Sequence, residues 1–170
     1  MLKLAGAVLC MTAGISMGMA ICRETRKTLD CLNALAMSLG VIHSELASRL
    51  APMHELMKAA AEVSTGSVHE FAKEVYIRTE KLEEMSFEEI WKDCCRKKLR
   101  ELKPEDMRRI SGLGCILGRA ALEEQLRALS DVRTQLCASA DEIAKVYPAR
   151  KKTVMGLSCA AGLIVTIMFL

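Results

Sequence analysis

Three glycines near the middle of the chain have a spacing that could cradle phosphate. Gly112, Gly114 and Gly118 lie in the stretch ISGLGCILGR, residues 110–119. A nucleotide-binding loop needs a strand before it, or a lysine followed by serine or threonine after its last glycine. Here the preceding pattern is helical, and an arginine and an alanine follow. We therefore assign the glycines to helix packing and turning. Gly114 and Gly118 let the fifth and sixth helices approach closely, and Gly118 ends the fifth.

The side chains that commonly act in catalysis or metal binding are scattered. His43, His54 and His69 lie on separate predicted helices and have no histidine or cysteine at a metal-binding spacing. Cys94 and Cys95 are neighbours, but the chain has no C-x-x-C, and one of the two falls on a buried helical face. We expect no enzymatic activity, no metal and no cofactor. A thiol redox protein that uses Cys94 and Cys95 is the alternative, and slow alkylation of both would exclude it.

Charged side chains concentrate between the third and fifth predicted helices, where an acidic run is followed by a basic one. Most runs of this kind only solvate a helix face, but opposed patches also steer association with a charged partner. The sequence predicts a docking surface here, with protein and anionic lipid both open as the partner of its basic half. The net charge of +3 is too small and dispersed to indicate nucleic-acid binding. The candidate docking residues are Glu83, Glu84, Glu88, Glu89, Lys92, Arg96, Lys97, Lys98, Arg100 and Lys103.

Both ends of the chain carry uncharged, apolar stretches. Residues 4–22 would span roughly 28 Å as a helix and residues 154–170 roughly 25 Å, against a hydrocarbon core of about 30 Å. We predict two membrane helices, with residues 1–3 outside the cell membrane and residues 23–153 as a cytoplasmic helical domain, because basic residues flank the inner end of each stretch. Those flanking residues are Arg23, Arg26, Lys27, Lys145, Arg150, Lys151 and Lys152.

A cleaved signal peptide is the alternative for the first stretch, since Gly18-Met19-Ala20 would suit a signal peptidase. The basic residues follow the stretch rather than precede it, which is the reverse of an export signal and favours a retained span. Small residues four apart, Gly14 with Gly18 and Ser158 with Gly162, would let membrane helices pack closely within one chain or between copies. In a reducing compartment the cysteines would be free thiols.

Helical periodicity and capping signals divide the region between the two stretches. Leucine and isoleucine recur at three- and four-residue intervals from Leu32 to Leu50, which indicates one buried helical face. Pro52 at a first helical position predicts a second helix. Capping boxes at Ser67 with Glu70 and at Ser86 with Glu89 predict the third and fourth helices. The buried residues expected on these two helices are Val68, Phe71, Val75, Ile90, Trp91 and Cys94.

The last two helices follow from the same kinds of signal. Pro104, followed by two carboxylates, predicts the start of the fifth helix. A sixth, long helix begins near Ala121 and has its apolar face at Leu122, Leu126, Leu129, Leu136, Ile143 and Tyr147. No segment alternates as a strand would. The predicted fold is all-α, a membrane-anchored six-helix bundle in which two long helices continue into the terminal membrane spans and four shorter helices cap their far ends.

Several stretches along the whole chain resemble the stage III sporulation protein AB family of endospore-forming bacteria. They include MLKLAGAV at the start, LNALAMSLGVIHSEL at residues 32–46, APMHE at 51–55, and GLSCAAGLIV at 156–165. The most specific piece is LGCILGRAALEEQLRAL at 113–129, in which Leu-Gly-x-x-Leu-Gly is followed by Gln125. The family usually has a polar turn containing aspartate after the second glycine. Here Arg119, Ala120 and Ala121 stand in its place, so a partner contact of that turn is not carried over.

The resemblance implies a cytoplasmic helical domain similar to that of inner-membrane platform proteins of type II secretion and type IV pilus systems. It implies that the protein acts in the mother cell, at the membrane facing the forespore, within a channel complex required for spore development. The implied partners are a cytoplasmic secretion-type ATPase and other membrane subunits of the complex. A two-span sensor is the rival hypothesis, but it would need a sizeable segment outside the membrane, and the predicted topology leaves three residues there.

Overall fold

A computed structural model of the protein describes the backbone of residues 2–81 and 85–169 and the side chains of most residues from 22 to 148. Within these ranges the chain forms six α-helices and no strand, which confirms the predicted all-α class with six helices. The helices are α1 Leu2–Arg49, α2 Met53–Val63, α3 Gly66–Glu80, α4 Phe87–Lys98, α5 Pro104–Ile116 and α6 Leu122–Phe169.

The chain divides into two compact units. The first consists of Met1–Lys27 with Asp141–Leu170, and the second of Thr28–Ala140. Residues 4–22 and 154–170, which we predicted to be membrane spans, belong to α1 and α6. Most of their side chains lie outside the description, including both small-residue pairs, Gly14 with Gly18 and Ser158 with Gly162. Among the described residues, no helix combines the length and the apolar character needed to cross a membrane.

Two of the predicted helix starts are confirmed. Ser86 and Glu89 form the expected capping box, in which the Glu89 amide donates to the Ser86 hydroxyl at 3.3 Å and the Ser86 amide donates to the Glu89 carboxylate at 2.8 Å. Pro104 is the first residue of α5, a position where its missing N–H costs nothing. The second helix begins one residue later than predicted, since Pro52 has extended backbone and precedes Met53 as the N-cap.

The capping box predicted at Ser67 and Glu70 is wrong. α3 begins at Gly66 after Thr65, and no side chain caps it. Ser67 is therefore already inside the helix, and its hydroxyl lies 3.6 Å from the Cys31 sulfur on α1. Ser67 of this motif therefore contacts another helix instead of capping α3. The helix begins at Gly66, whose φ of +62° is a conformation that favours glycine.

The core of the second unit is formed by one face of each helix. From α1 it takes the predicted leucine face, from Leu32 to Leu46, but not Leu50, which is 67% exposed and lies beyond the helix with a φ of +49°. From α6 it takes Leu129 and Leu136, whereas Leu122 in the first turn is exposed. Ile143, which was expected on the same face of α6, is buried and belongs to the first unit. The side chains expected to be buried on α3 and α4 are buried: Val68, Phe71, Val75, Ile90, Trp91 and Cys94.

Candidate docking surface

Trp91 holds α4 in place. Its side chain is 1% exposed, and its indole N–H donates to the carbonyl oxygen of Ile110 on α5 at 2.8 Å. The ring meets Phe71 of α3 edge-on, with centroids 5.0 Å apart, and lies 5.7 Å from the ring of Phe87. Edge-to-face pairs of this kind add to the stabilisation from burial. One buried side chain therefore joins α3, α4 and α5 and sets which face of α4 turns toward solvent.

Gly114 allows α5 to approach this tryptophan. A Cβ at Gly114 would lie 2.7 Å from Cδ1 and 2.9 Å from Cγ of Trp91, closer than atoms in contact can be. The close approach that Gly114 permits is thus between α5 and α4. The approach of α5 to α6 that we expected from the spacing of Gly114 and Gly118 stays a prediction. Gly112 is different, because a Cβ there would meet nothing within 4 Å.

Gly118 and Gln125 shape the turn between α5 and α6. Gly118 follows the end of α5 with a φ of +82°, a left-handed conformation that favours glycine. The Gln125 side chain accepts from the Gly118 amide at 3.3 Å and donates to the Ala120 carbonyl oxygen at 2.7 Å. The amide side chain of Gln125 therefore satisfies two backbone groups of the turn, and the turn is held against the first residues of α6.

Glu88 is a junction of three contacts at the start of α4. Its carboxylate accepts from Lys92 at 2.6 Å, from the Cys115 thiol at 3.0 Å and from Arg119 at 3.0 Å. The hydrogen bonds from Cys115 and Lys92 hold the pKa of Glu88 below its usual value. Arg119 thus ties the turn between α5 and α6 to α4.

Asp93 is a second junction, one turn further along α4. Its carboxylate accepts from Lys97 and from Arg78 of α3, each at 2.7 Å, and these two bonds lower the pKa of Asp93. Lys98 reaches Glu74 of α3 at 3.0 Å. These contacts orient α4 on α3, although each exposed pair adds only modestly to stability.

The solvent side of α4 carries charges that a partner can reach, although Lys92 and Lys97 are paired with carboxylates of α4 itself and Glu89 is part of the capping box. Glu89, Arg96 and Lys97 are exposed, and Lys92 is half-buried. We call these four residues the α4 charged face. Glu83 and Glu84, also predicted to dock, lie outside the described residues. Arg100 and Lys103 are exposed on the connection between α4 and α5, and Lys98 is engaged with α3.

Arg78, Asp93 and Asp106 were missed by the sequence analysis. The pairs of Glu88 with Lys92 and of Asp93 with Lys97 have the i, i+4 spacing of helical ion pairs and could have been found. The contact of Arg78 with Asp93 joins two helices, and no local spacing predicts it. From the sequence, Asp106 was expected only to interact favourably with the dipole of α5 from its first turn. It is 2% exposed and accepts from Arg109 at 2.7 Å and from Ser139 of α6 at 3.0 Å.

The neighbouring cysteines are both fully buried, each 0% exposed. Burial raises the pKa of Cys94 and raises that of Cys95 to about 12, which suppresses the reactive thiolate. We expect iodoacetamide at neutral pH to modify both at least about a hundredfold more slowly than the exposed Cys115 and Cys137 of the same native chain. Peptide mass spectrometry after timed quenching measures all four rates. Rates at Cys94 or Cys95 equal to that of Cys115 would contradict this burial and would favour the alternative hypothesis of a thiol redox protein.

A small cavity lies where α1 to α5 meet. It has a volume of about 10 Å³, near the lower limit for one water molecule. Its lining is apolar, with Leu39, Phe71 and Trp91 among the residues, except for Ser38, whose hydroxyl donates to the Ala34 carbonyl oxygen at 2.8 Å. The cavity is therefore too small and too apolar to suit a substrate. Among the described residues no group of three side chains is placed to hold a metal ion. The features that this region presents to a partner are the charges on its surface.

The family model described as stage III sporulation protein AB matches residues 3–170. No curated protein and no solved structure matches the chain. The matched range contains every feature described above, from the first helix to the turn at Gly118 and the whole of α6. Because the match extends over essentially the whole chain, the protein belongs to the stage III sporulation protein AB family, which implies a role in sporulation.

Proposed function

We propose that this protein is a non-enzymatic platform, anchored in the membrane, that docks a cytoplasmic secretion-type ATPase within a channel complex required for spore formation. The proposal extends the family membership by naming a mechanism, a partner and a surface. The platform acts at the mother-cell membrane that faces the forespore, and the unit Thr28–Ala140 carries the docking surface.

The observation that carries the proposal is the α4 charged face. Trp91, Cys94 and Cys95 bury the opposite side of α4, so the helix cannot turn without opening the core. Contacts of Glu88 with Arg119 and of Asp93 with Arg78 tie it to its neighbours. A charged surface held this firmly loses little side-chain and backbone freedom when a partner binds, and opposed charges steer the encounter.

Membrane attachment is supported by the sequence at the two ends of the chain. Residues 4–22 and 154–170 are uncharged and belong to α1 and α6, the two longest helices among the described residues. The basic residues that follow the first stretch and precede the second match the charge asymmetry of proteins whose intervening region is cytoplasmic. The same argument supports a cytoplasmic location of the α4 charged face, where an ATPase would find it.

Photocrosslinking in sporulating cells tests the docking surface. A photoreactive amino acid at position Arg96 or Lys97 is expected to capture the ATPase, and the same amino acid at the exposed Lys58 of α2 is the control position. Reversing two charges, Arg96→Glu with Lys97→Glu, is expected to reduce heat-resistant spores at least about tenfold, because like charges then face each other across the interface.

The matched control reverses two exposed charges elsewhere, Arg49→Glu with Lys58→Glu, and should leave spore numbers unchanged at equal protein level. If crosslinks to the ATPase arise from Lys58 and not from α4, another surface docks the partner. If the α4 charge reversal has no effect on spore formation, the proposed mechanism is wrong.

A further inference from the structure

The connection between α4 and α5 turns two cations outward. We call residues 99–103 the basic loop. Leu99 and Leu102 are buried in the core, and the Leu102 amide donates to the Leu99 carbonyl oxygen at 3.3 Å, which closes a tight turn. Arg100 and Lys103 are exposed, and neither has a hydrogen bond or an ion pair with any described side chain. The two buried leucines therefore fix the direction in which the cations point.

The basic loop lies at the end of the second unit where α1 enters it. The Thr28 hydroxyl donates to the Glu101 carbonyl oxygen at 2.9 Å, and Thr28 is the first residue of this unit. Next to the loop, Asp106 of α5 accepts from Ser139, one residue before the unit ends on α6. The basic loop is thus attached directly to α1, and α5, which follows the loop, is attached to α6.

The local charges are arranged to face an anion outside the chain. The Glu101 carboxylate turns inward, since its Oε2 is buried and accepts no hydrogen bond. Lys103 is the N-cap of α5, a position that favours serine or aspartate and where the helix dipole disfavours a cation. Glu105 and Arg108 are exposed further along α5 and offset each other. An external negative charge near Lys103 would offset the cost of a lysine at this position.

We propose that Arg100 and Lys103 bind the anionic headgroups of the membrane surface. This inference rests on the membrane attachment proposed above. Thr28 follows Cys22, the last residue of the uncharged stretch, by six residues, and both belong to α1, so the helix rises by only about 9 Å between them. An anionic lipid surface attracts nearby lysine and arginine side chains. This electrostatic attraction decays over a Debye length, which is about 8 Å at physiological salt. The α4 charged face is left for a protein partner.

Lysine footprinting of the full chain in lipid vesicles tests the inference. A water-soluble acylating reagent is applied to protein in vesicles of phosphatidylcholine alone and of phosphatidylcholine with phosphatidylglycerol. We expect acylation of Lys103 to be about fivefold slower in the anionic vesicles, the factor expected for one cation at such a surface. Lys58, exposed on α2, should react equally in both. Salt at about 1 M, which shortens the Debye length to about 3 Å, should remove most of the difference.

Variants and a phosphate control separate the outcomes. Arg100→Gln should reduce the protection of Lys103, and Arg49→Gln, the same change at an exposed site of α1, should not. If Lys103 reacts equally in both vesicles, the inference is overturned while membrane attachment stands. Protection by inorganic phosphate in phosphatidylcholine vesicles to the same extent would indicate a phosphate site and also overturn it. If neither vesicle retains the protein, membrane attachment and the inference both fall.

Discussion

Replacing Trp91 with alanine is expected to raise the alkylation rates of Cys94 and Cys95 at least about a hundredfold. The substitution removes a side chain that is 1% exposed and a hydrogen bond to Ile110. Losses of this kind cost about 3–5 kcal/mol, because the cavity left behind closes only in part. At about 1.4 kcal/mol for each factor of ten, the open state in which the two buried thiols react becomes at least about a hundred times more populated.

The conservative variant Trp91→Phe provides the comparison. It keeps an aromatic ring against Phe71 and removes the N–H that reaches Ile110. Loss of one buried hydrogen bond of about 1 kcal/mol should raise the same alkylation rates only about fivefold. Cys115 is exposed in the native chain and serves as the internal standard for thiol reactivity. Equal rates for the alanine variant and the unmodified protein would show that Trp91 does not hold this core together.

The stability lost on replacing Trp91 with alanine also affects docking. The α4 charged face lies on the helix that Trp91 anchors, and its two junctions, Glu88 and Asp93, are exposed enough to contribute only modestly on their own. The core contact supplies the stability, and the ion pairs refine the orientation. Docking defects from core substitutions are therefore separable from defects caused by charge reversal, because only the former expose Cys94 and Cys95.

Helix existence was predictable from the sequence, and the partner of each helix face was not. The leucine spacing from Leu32 to Leu46 indicates a buried face, which the structure has. The two capping-box motifs look alike in sequence, yet only Ser86 with Glu89 forms one. Ser67 instead faces Cys31, thirty-six residues away in the chain. A contact between such distant residues cannot be predicted from a motif of four residues.

In the candidate site, too, contacts within a helix were predictable and contacts between helices were not. Pairs within α4, such as Glu88 with Lys92, obey a helical spacing and can be read directly. The contacts of Arg78 with Asp93 and of Arg119 with Glu88 depend on how α3 and the turn at Gly118 pack on α4. Packing of this kind is decided by side-chain shape, which the alternation of apolar and polar residues does not encode.

Gly114 is the clearest example of a role set by tertiary packing, because it depends on the Trp91 ring that lies against it. Gly114→Ala is expected to destabilise the second unit by about 1–3 kcal/mol relative to Gly112→Ala. Both substitutions replace a glycine in α5 and gain the same helix propensity of roughly 1 kcal/mol. At Gly112 the new methyl group meets nothing within 4 Å, whereas at Gly114 it lies 2.7 Å from a ring atom of Trp91. The difference between the two variants therefore isolates the cost of overpacking.

A double-mutant cycle identifies the clash by its partner. Trp91→Ala removes the ring atoms that the new methyl group would meet, so Gly114→Ala should cost little further stability in that background. We expect a coupling free energy of about 1–3 kcal/mol, measured from the alkylation rates of Cys94 and Cys95 in the four proteins. Additive effects of the two substitutions would mean that Gly114 is required for a reason other than the approach of α5 to Trp91. Coupling of the expected size would identify this glycine as the residue that lets α5 close on α4 and present the α4 charged face.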